Sequence, residues 1–563
     1  MTQAPAVSAQ EHAATFSHKM RTVALIIVSL AFVMDLLDST IVNIAIPAIK
    51  TNLGASYSAI QWVIAGYSLA FSLLLVTGGR MGDVFGYKKL FLTGVSGFTL
   101  ASLLSGISGN ADMLIVARLV QGSMAALMVP QVISLMQVMY KPEERGAING
   151  LFGALGGLAA SLGPVVGGLL IKANIFGWDW RPIFLINVPI GILGVVAGMK
   201  YLPNGKSSHP LKLDITGTLI IMVAMMLLVF PLIQGRDLGW PTWTFVMMAA
   251  SLPFFGLFAW WQKHKDSTDG SPLVLPALFR NRAFSVGLSV NLIFEMAMIS
   301  YFLTFSLVLQ IGFGFSAIHA ALTGLPTAFG IALTMATLGE KVLPKLGRYS
   351  LSLGSIVMAI GLVITGWLMH HYGLRVHSWQ FIPSLLLTGV GMGMVFGSLF
   401  AAVLNGVDPA HAGSASGTLN AVQQVGGAIG VAVVGVIFFG QLSHAAPASF
   451  TSIEPQLQHT LSMQHVPAPA QTEIVEGVKQ CFVDRSREKD SSIVPASCKQ
   501  TTSNNANPVL TQDITKSALQ ANATNFDNAF HWAIGYALAL LAVTFSLTFL
   551  LPKRFKTQAY TEL

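Results

Sequence analysis

The run TVALIIVSLAFVMDLLDSTIVNIAIP, residues 22–47, decides the fold. It stays apolar for longer than the ~20 residues a helix needs to cross a bilayer's hydrocarbon core. It follows a polar stretch, residues 1–20, with no small-residue cleavage site, and so reads as an uncleaved first transmembrane span. Two acids, Asp35 and Asp38, interrupt it three residues apart, on one face of a helix.

The pattern repeats along the chain. Apolar runs separated by Gly, Pro and charged clusters fall at 22–47, 58–78, 90–108, 112–138, 146–171, 183–202, 214–233, 242–261, 284–308, 316–338, 350–370, 380–404, 418–440 and 529–551. The runs at 146–171 and 418–440 are glycine-rich enough to be loops in water, but small residues let helices approach closely in lipid, so both are read as spans. Composition agrees: 53% of the 563 residues are hydrophobic and 10% charged, against about 25% charged in a soluble domain. Mean hydropathy is +0.65. A soluble enzyme is excluded, and the expected class is an all-α polytopic membrane protein with 14 transmembrane helices.

Lys and Arg alternate between connections. With the N-terminus inside, twenty fall in inner segments, from Lys19 and Arg21 to Lys553, Arg554 and Lys556, and five in short outer loops: Lys50, Lys172, Arg181, Arg236 and Arg375. That bias places both termini in the cytoplasm. The net charge of +8 therefore punctuates spans rather than forming a basic face, and no nucleic-acid partner is expected. The longest polar connection, 441–528, lies outside on this topology. It holds both cysteines, Cys481 and Cys498, and an oxidising space favours a disulfide between them.

No cofactor is implied. Gly205-Lys206-Ser207 lacks the upstream glycine of a phosphate loop, since Lys200 stands there. Gly391 and Gly393 are followed by Phe396 where a dinucleotide motif needs a third glycine. His370, His371 and His377 have no carboxylate or thiol beside them in sequence, so they read as an interfacial cluster rather than a metal site. No nucleophile with a base is evident.

Ionisable residues inside spans are costly, roughly 2.5–3.5 kcal/mol each on insertion scales, and therefore mark function. They are Asp35, Asp38, Arg118 and Glu295. Neighbouring acids in a poorly hydrated site suit proton carriage, while a structural pair of Asp35 or Asp38 with Arg118 is the alternative. Met124, Met128, Met296 and Met298 offer either adaptable apolar surface for ligands or plain packing.

Four motifs, and the entry to a sixth span, carry a family resemblance. Residues 37–47, LDSTIVNIAIP, resemble the first-span signature of the fourteen-span drug:proton antiporters of the major facilitator superfamily. Residues 79–89, GRMGDVFGYKK, are similar to the superfamily's cytoplasmic loop motif: Gly79, Asp83, Gly86 and Lys88 match, while Val84 and Tyr87 replace basic residues. Leu114 to Arg118, Gln121 and Gly122 match the fourth-span motif, in which the Arg takes part in proton coupling. Gly163, Pro164, Gly167 and Gly168 match the fifth-span antiporter motif, a pivot in which Pro164 frees a backbone carbonyl and the glycines allow close packing. Residues 180–189 resemble the start of span six.

The resemblance implies the major facilitator fold in a 6+2+6 arrangement. Its parts would be a cytoplasmic tail (1–21), an N-terminal six-helix half (22–203), an inserted helix pair (204–262), a cytoplasmic linker (263–283), a C-terminal half (284–551) containing the outer loop 441–528, and a tail (552–563). It further implies proton-driven export of small amphipathic or cationic drugs by a monomeric unit in the inner membrane. The proton and substrate cavity would use Asp38, Asp35, Arg118, Glu295 and Gln121, and an Asp83 contact to the start of span thirteen, near Gly413 to Gly417, would act as a latch. Rival readings are a dedicated exporter of one metabolite, peptide or siderophore, and a membrane receptor without transport. The outer loop would serve such a receptor, or dock an extracytoplasmic adaptor.

Overall fold

Short polar connections between long apolar runs leave the backbone one economical solution in lipid, helices that satisfy their own hydrogen bonds. The computed structural model describes residues 18–140, 142–207, 212–339, 342–405, 407, 412–487, 495–498 and 508–554. The described residues form helices α1 (His18–Leu53), α2 (Tyr57–Phe85), α3 (Tyr87–Gly106), α4 (Ala111–Met139), α5 (Pro142–Ala173), α6 (Pro182–Leu185), α7 (Asn187–Tyr201), α8 (Ile215–Leu238) and α9 (Thr242–Asp269). They continue as α10 (Arg282–Leu307), α11 (Ala317–Leu338), α12 (Leu343–Leu346), α13 (Arg348–Tyr372), α14 (Ile382–Val403), α15 (Ala412–Thr451), α16 (Glu454–Met463), α17 (Ala468–Arg487) and α18 (Pro508–Thr548). No strand occurs among the described residues.

Thirteen of the described helical segments are long and apolar enough to cross a membrane, α6 and α7 counting as one span, Pro182–Tyr201. The run at 146–171 is helix α5, in which Leu162–Ala173 is a shorter apolar stretch. The glycine-rich run at 418–440 lies inside the Gly417–Thr451 span. Helix starts are set locally. Ser56, Asn110 and Asn281 each accept a backbone N–H of the following turn, at 3.1, 2.8 and 2.9 Å. Gly86 takes φ +101°, which lets α2 turn straight into α3.

Helices α1 to α7 pack on one another, α2 and α3 against α4, and α1 against α5 and α7. A second group joins α10 to α15 and α18, α13 to α14 and α18, and α11 to α14. The groups meet where α2 runs along α15 and α5 along α11. At the end away from the basic loops this seam is closed. Tyr57 stacks on Phe439 at 4.0 Å, Ser306 Oγ donates to the Asn43 carbonyl at 3.1 Å, and a methyl added to Gly435 would strike Gln61 Nε2 at 2.1 Å. Helices α8 and α9 pack together, with α8 against α2 and α15.

The outer connection is more helical than its polar composition suggests. Helix α15 runs on to Thr451 and α18 begins at Pro508, with α16 and α17 between them. Phe450, Ile453, Leu457, Leu461, Val475, Val478 and Ala521 form a separate small core there. A disulfide joins Cys481 to Cys498.

Candidate functional site

The polar centre of the first group is assembled by close approach of α2 to α4. A methyl on Gly122 would lie 2.3 Å from the Tyr67 carbonyl oxygen, and one on Gly78 2.2 Å from that of Ala126, so only glycine permits this separation. It brings Arg118 of α4 under the Tyr67 ring, guanidinium carbon to ring centroid 4.1 Å, with Phe184 on its other flank at 5.7 Å. Arg118 Nε donates to the Val63 carbonyl at 3.1 Å and its Nη1 to Gln121 Oε1 at 2.8 Å.

The same Nη1 donates to Asp38 Oδ2, forming an ion pair between two side chains that are 2% and 0% exposed. The other Asp38 oxygen accepts Gln121 Nε2 at 2.8 Å and Asn187 Nδ2 at 3.0 Å. Ser102 Oγ accepts a second bond from Gln121 at 2.8 Å. Asp38 is thus held by one cation and two amides, drawn from α4 and α7.

Asp35, one turn earlier in α1, has a different partner, accepting the Tyr67 hydroxyl. Both Asp35 and Tyr67 are buried. Glu295 lies apart in α10, also buried, and its Oε1 accepts Gln423 Nε2 from α15 at 2.6 Å. The fold therefore brings Asp38, Arg118 and Gln121 into one network, seats Asp35 beside it through Tyr67, and keeps Glu295 in the second helix group. Of the two ion-pair alternatives left open by sequence, the structure contains Asp38 with Arg118. Tyr67, Ser102, Asn187 and Gln423 were not singled out from sequence. Their signal was a polar side chain within an apolar run, and Asn187 stood inside the span-six motif. The Met124 and Met128 side chains lie at close range to Gly97 and Gly94, and the Met296 backbone to Gly430.

The loop-motif residues organise the basic-loop end. Asp83 accepts the Tyr87 hydroxyl at 3.0 Å, its hydrogen-bond partner among the described residues, so the residue that departs from the motif supplies a local donor. Tyr87 N–H donates to the Gly205 carbonyl at 2.8 Å and Lys88 Nζ to that of Met199 at 2.8 Å. Gly79 meets only Pro130, at an ordinary 3.6 Å. Arg80, buried, donates to the carbonyls of Lys212 and Ser271, at 3.2 and 2.8 Å, and of Pro272, which flank α8 and α9.

In α5 the antiporter-motif glycines face two ways. A methyl on Gly163 would meet Thr40 Oγ1 at 2.0 Å, and one on Gly167 would meet Ile41 and Ile44 at 2.7 Å, all on α1. On Gly168 it would meet the Ile318 backbone at 2.8 Å, on α11 across the seam. The helix around Pro164 is unbroken from Pro142 to Ala173.

His370 finds a carboxylate that is remote in sequence: Asp527 of α18, 2.9 Å away, with His531 next to it. The partners are distant in sequence and meet only because α13 packs on α18.

Residues 28–431 match the sequence profile of the Major Facilitator Superfamily. The chain is 38% identical over 538 residues to a "Probable actinorhodin transporter" of Streptomyces coelicolor, covering 95% of this chain and 92% of that one. It is 32% identical to the tetracenomycin C resistance and export protein of Streptomyces glaucescens, over 75% of this chain and 77% of that one. It is also 32% identical to a methylenomycin A resistance protein of Bacillus subtilis, over 76% and 89% respectively. Among solved structures, a bacterial homologue of the lysosomal transporter Spinster in an inward-facing, occupied conformation superposes with a TM-score of 0.55 at 14% identity, covering 95% of this chain and 97% of that one. A peptide transporter, POT, superposes with a TM-score of 0.56 at 14% identity, covering 97% and 100%. At that identity the likeness is one of fold.

Proposed function

The chain belongs to the major facilitator superfamily and is a multi-pass membrane transporter rather than an enzyme, and from that premise we propose that it exports small amphipathic or cationic antibiotic-like molecules in exchange for protons. The observation that carries this reading is the contrast among its buried acids. Asp38 has its charge offset by direct contact with Arg118, whereas among the described residues Asp35 and Glu295 take their hydrogen bonds from neutral donors, Tyr67 and Gln423. A buried carboxylate without a counter-cation is expensive when ionised. It becomes cheap when it binds either a proton or a cationic substrate, and two ligands that compete for one charge exchange for each other.

In this scheme Asp35 and Glu295 take up the proton, one in each helix group. Asp38, Arg118, Gln121 and Asn187 transmit the change between α1, α4 and α7. The two groups rock about a midplane site, with Gly163, Pro164, Gly167 and Gly168 as the pivot along α1 and α11. The moving bodies correspond to 22–203 and 284–551, with 204–262 riding as an inserted pair. Both termini lie on the cytoplasmic side of the inner membrane and the transport unit is a monomer. Asp83 and its loop motif stand where an inner gate closes, and the 441–528 region is where an extracytoplasmic adaptor would dock.

A second reading, export of one dedicated metabolite, is favoured by the actinorhodin-transporter match. Its 95% coverage leaves too little of the chain unmatched to omit the outer region, whereas the resistance proteins cover about three quarters. Reconstituted protein in sealed vesicles with an imposed pH gradient tests both. Proton-driven accumulation of several unrelated cationic dyes supports the first reading, gradient-driven transport of one compound class alone the second, and transport indifferent to the gradient refutes proton exchange.

A further inference from the structure

A polar cluster at the end opposite the basic loops plays no part in this transport scheme. His370, near the end of α13, and His531 of α18 converge on Asp527, one turn before His531. His370 Nδ1 lies 2.9 Å from Asp527 Oδ2, and His531 Nδ1 lies 3.5 Å from Asp527 Oδ1. One ligand-capable atom from each of the three residues lies within 4.8 Å of the other two. Tetrahedral ligands at the ~2.0–2.1 Å of zinc–nitrogen and zinc–oxygen bonds stand about 3.4 Å apart, so small side-chain rotations would complete three corners.

Two independent features point to a ligand. The Asp527 side chain is 9% exposed, and its Oδ1 is buried without a hydrogen-bond donor. Such an acceptor, with no hydrogen bond and only His531 Nδ1 near it at 3.5 Å, is costly to maintain, and a cation removes the deficit. His531 Nδ1 lies 2.8 Å from the Asp527 carbonyl oxygen. This is how a ligating imidazole gives one N–H to the backbone and keeps its other nitrogen for a metal. That other nitrogen, Nε2, faces α13, 3.8 Å from where a methyl on Gly366 would stand. The His370 side chain is 69% exposed, so an ion has access from its side. His371 is not part of the cluster; it stacks on Trp367 at 5.1 Å.

We propose that His370, Asp527 and His531 bind a zinc-type divalent cation, with water as the fourth ligand, and that the ion clamps α13 to α18. Two imidazoles and one carboxylate suit Zn²⁺ and its borderline neighbours, whereas Mg²⁺ and Ca²⁺ require shells of oxygen.

The test uses the full chain, purified through a tag without histidine, stripped with chelator and titrated with Zn²⁺ against a chromophoric competitor. One ion per chain is expected, together with a rise in melting temperature on Zn²⁺ addition. His370→Ala and His531→Ala should each raise the Kd at least about tenfold, His371→Ala should leave it unchanged, and excess Mg²⁺ should not compete. His370 is exposed, so its replacement leaves the fold intact. The proposal is overturned if the His370→Ala/His531→Ala double variant binds as much Zn²⁺ as the native chain, if His371→Ala weakens binding equally, or if Mg²⁺ displaces the ion.

Discussion

The Asp38 carboxylate accepts the Arg118 guanidinium across α1 and α4, and both side chains are sealed from solvent. The pair is not isolated, since Gln121 donates to Asp38 and accepts from Arg118. Any change in the charge of one member is therefore felt by at least three helices, α1, α4 and, through Asn187, α7.

Removing one member of such a pair strands the other. Asp38→Asn and Arg118→Gln should each cost about 3–5 kcal/mol of stability, read as a lower melting temperature in detergent and less protein in the membrane. The double variant Asp38→Asn/Arg118→Gln strands neither member of the pair and should recover most of that stability while remaining inactive in transport. A double variant as unstable as the sum of the singles would mean that the two residues do not act as a pair.

Glu295→Gln tests the second acid without stranding a partner, because the new amide oxygen can still accept Gln423 Nε2. Melting temperature should stay within the range of a neutral substitution, below about 1 kcal/mol. Gradient-driven export of cationic dyes should fall more than about tenfold, the loss expected when an uncompensated charge no longer favours a cation. Gradient-driven export left at the native rate for cationic and neutral substrates alike would make Glu295 a packing residue.

The spans were legible because lipid allows only long, nearly continuous apolar helices, and Asp35, Asp38, Arg118 and Glu295 stood out against that background as charges. Tyr67, Ser102, Asn187 and Gln423 did not, because an uncharged polar side chain costs little in a span and is common there. Which acid pairs with Arg118 depends on helix rotation and on the glycine-permitted approach of α2 to α4, which linear spacing does not reveal. The fold of the polar 441–528 connection was not legible because its apolar residues are sparse, yet Leu457, Leu461, Val475 and Val478 recur at helical spacing and bury one another. His370 and Asp527 lie 157 residues apart, beyond the reach of any local motif.

Arg80 ties the basic-loop end of α2 to both flanks of the α8–α9 pair through the carbonyls of Lys212, Ser271 and Pro272. Arg80→Ala leaves these three acceptors, two of them buried, without that donor. Limited proteolysis should then cut faster in the connections before α8 and after α9, while spans elsewhere remain protected. Arg80→Lys, which keeps the charge but not the forked geometry, should restore only part of the protection. Unchanged cleavage in Arg80→Ala would show that α8 holds the pair in place by its own contacts with α2 and α15.

Gly163 offers the sharpest probe of α5. Its added methyl would meet Thr40 Oγ1 at 2.0 Å and Thr40 Cβ at 3.1 Å, so Gly163→Ala must push α5 from α1 or force Thr40 from its rotamer, at about 1–3 kcal/mol. Thr40→Ala removes the worse of these contacts. The double variant should therefore regain most of the lost melting temperature. If the α1–α5 contact is the pivot surface, transport rate should follow the same order: native fastest, Gly163→Ala slowest, the double variant between. If stability recovers in the double variant while transport stays at the level of Gly163→Ala, the glycine serves motion through something other than space for Thr40. If neither changes in Gly163→Ala, the close approach of α5 to α1 is not needed for transport.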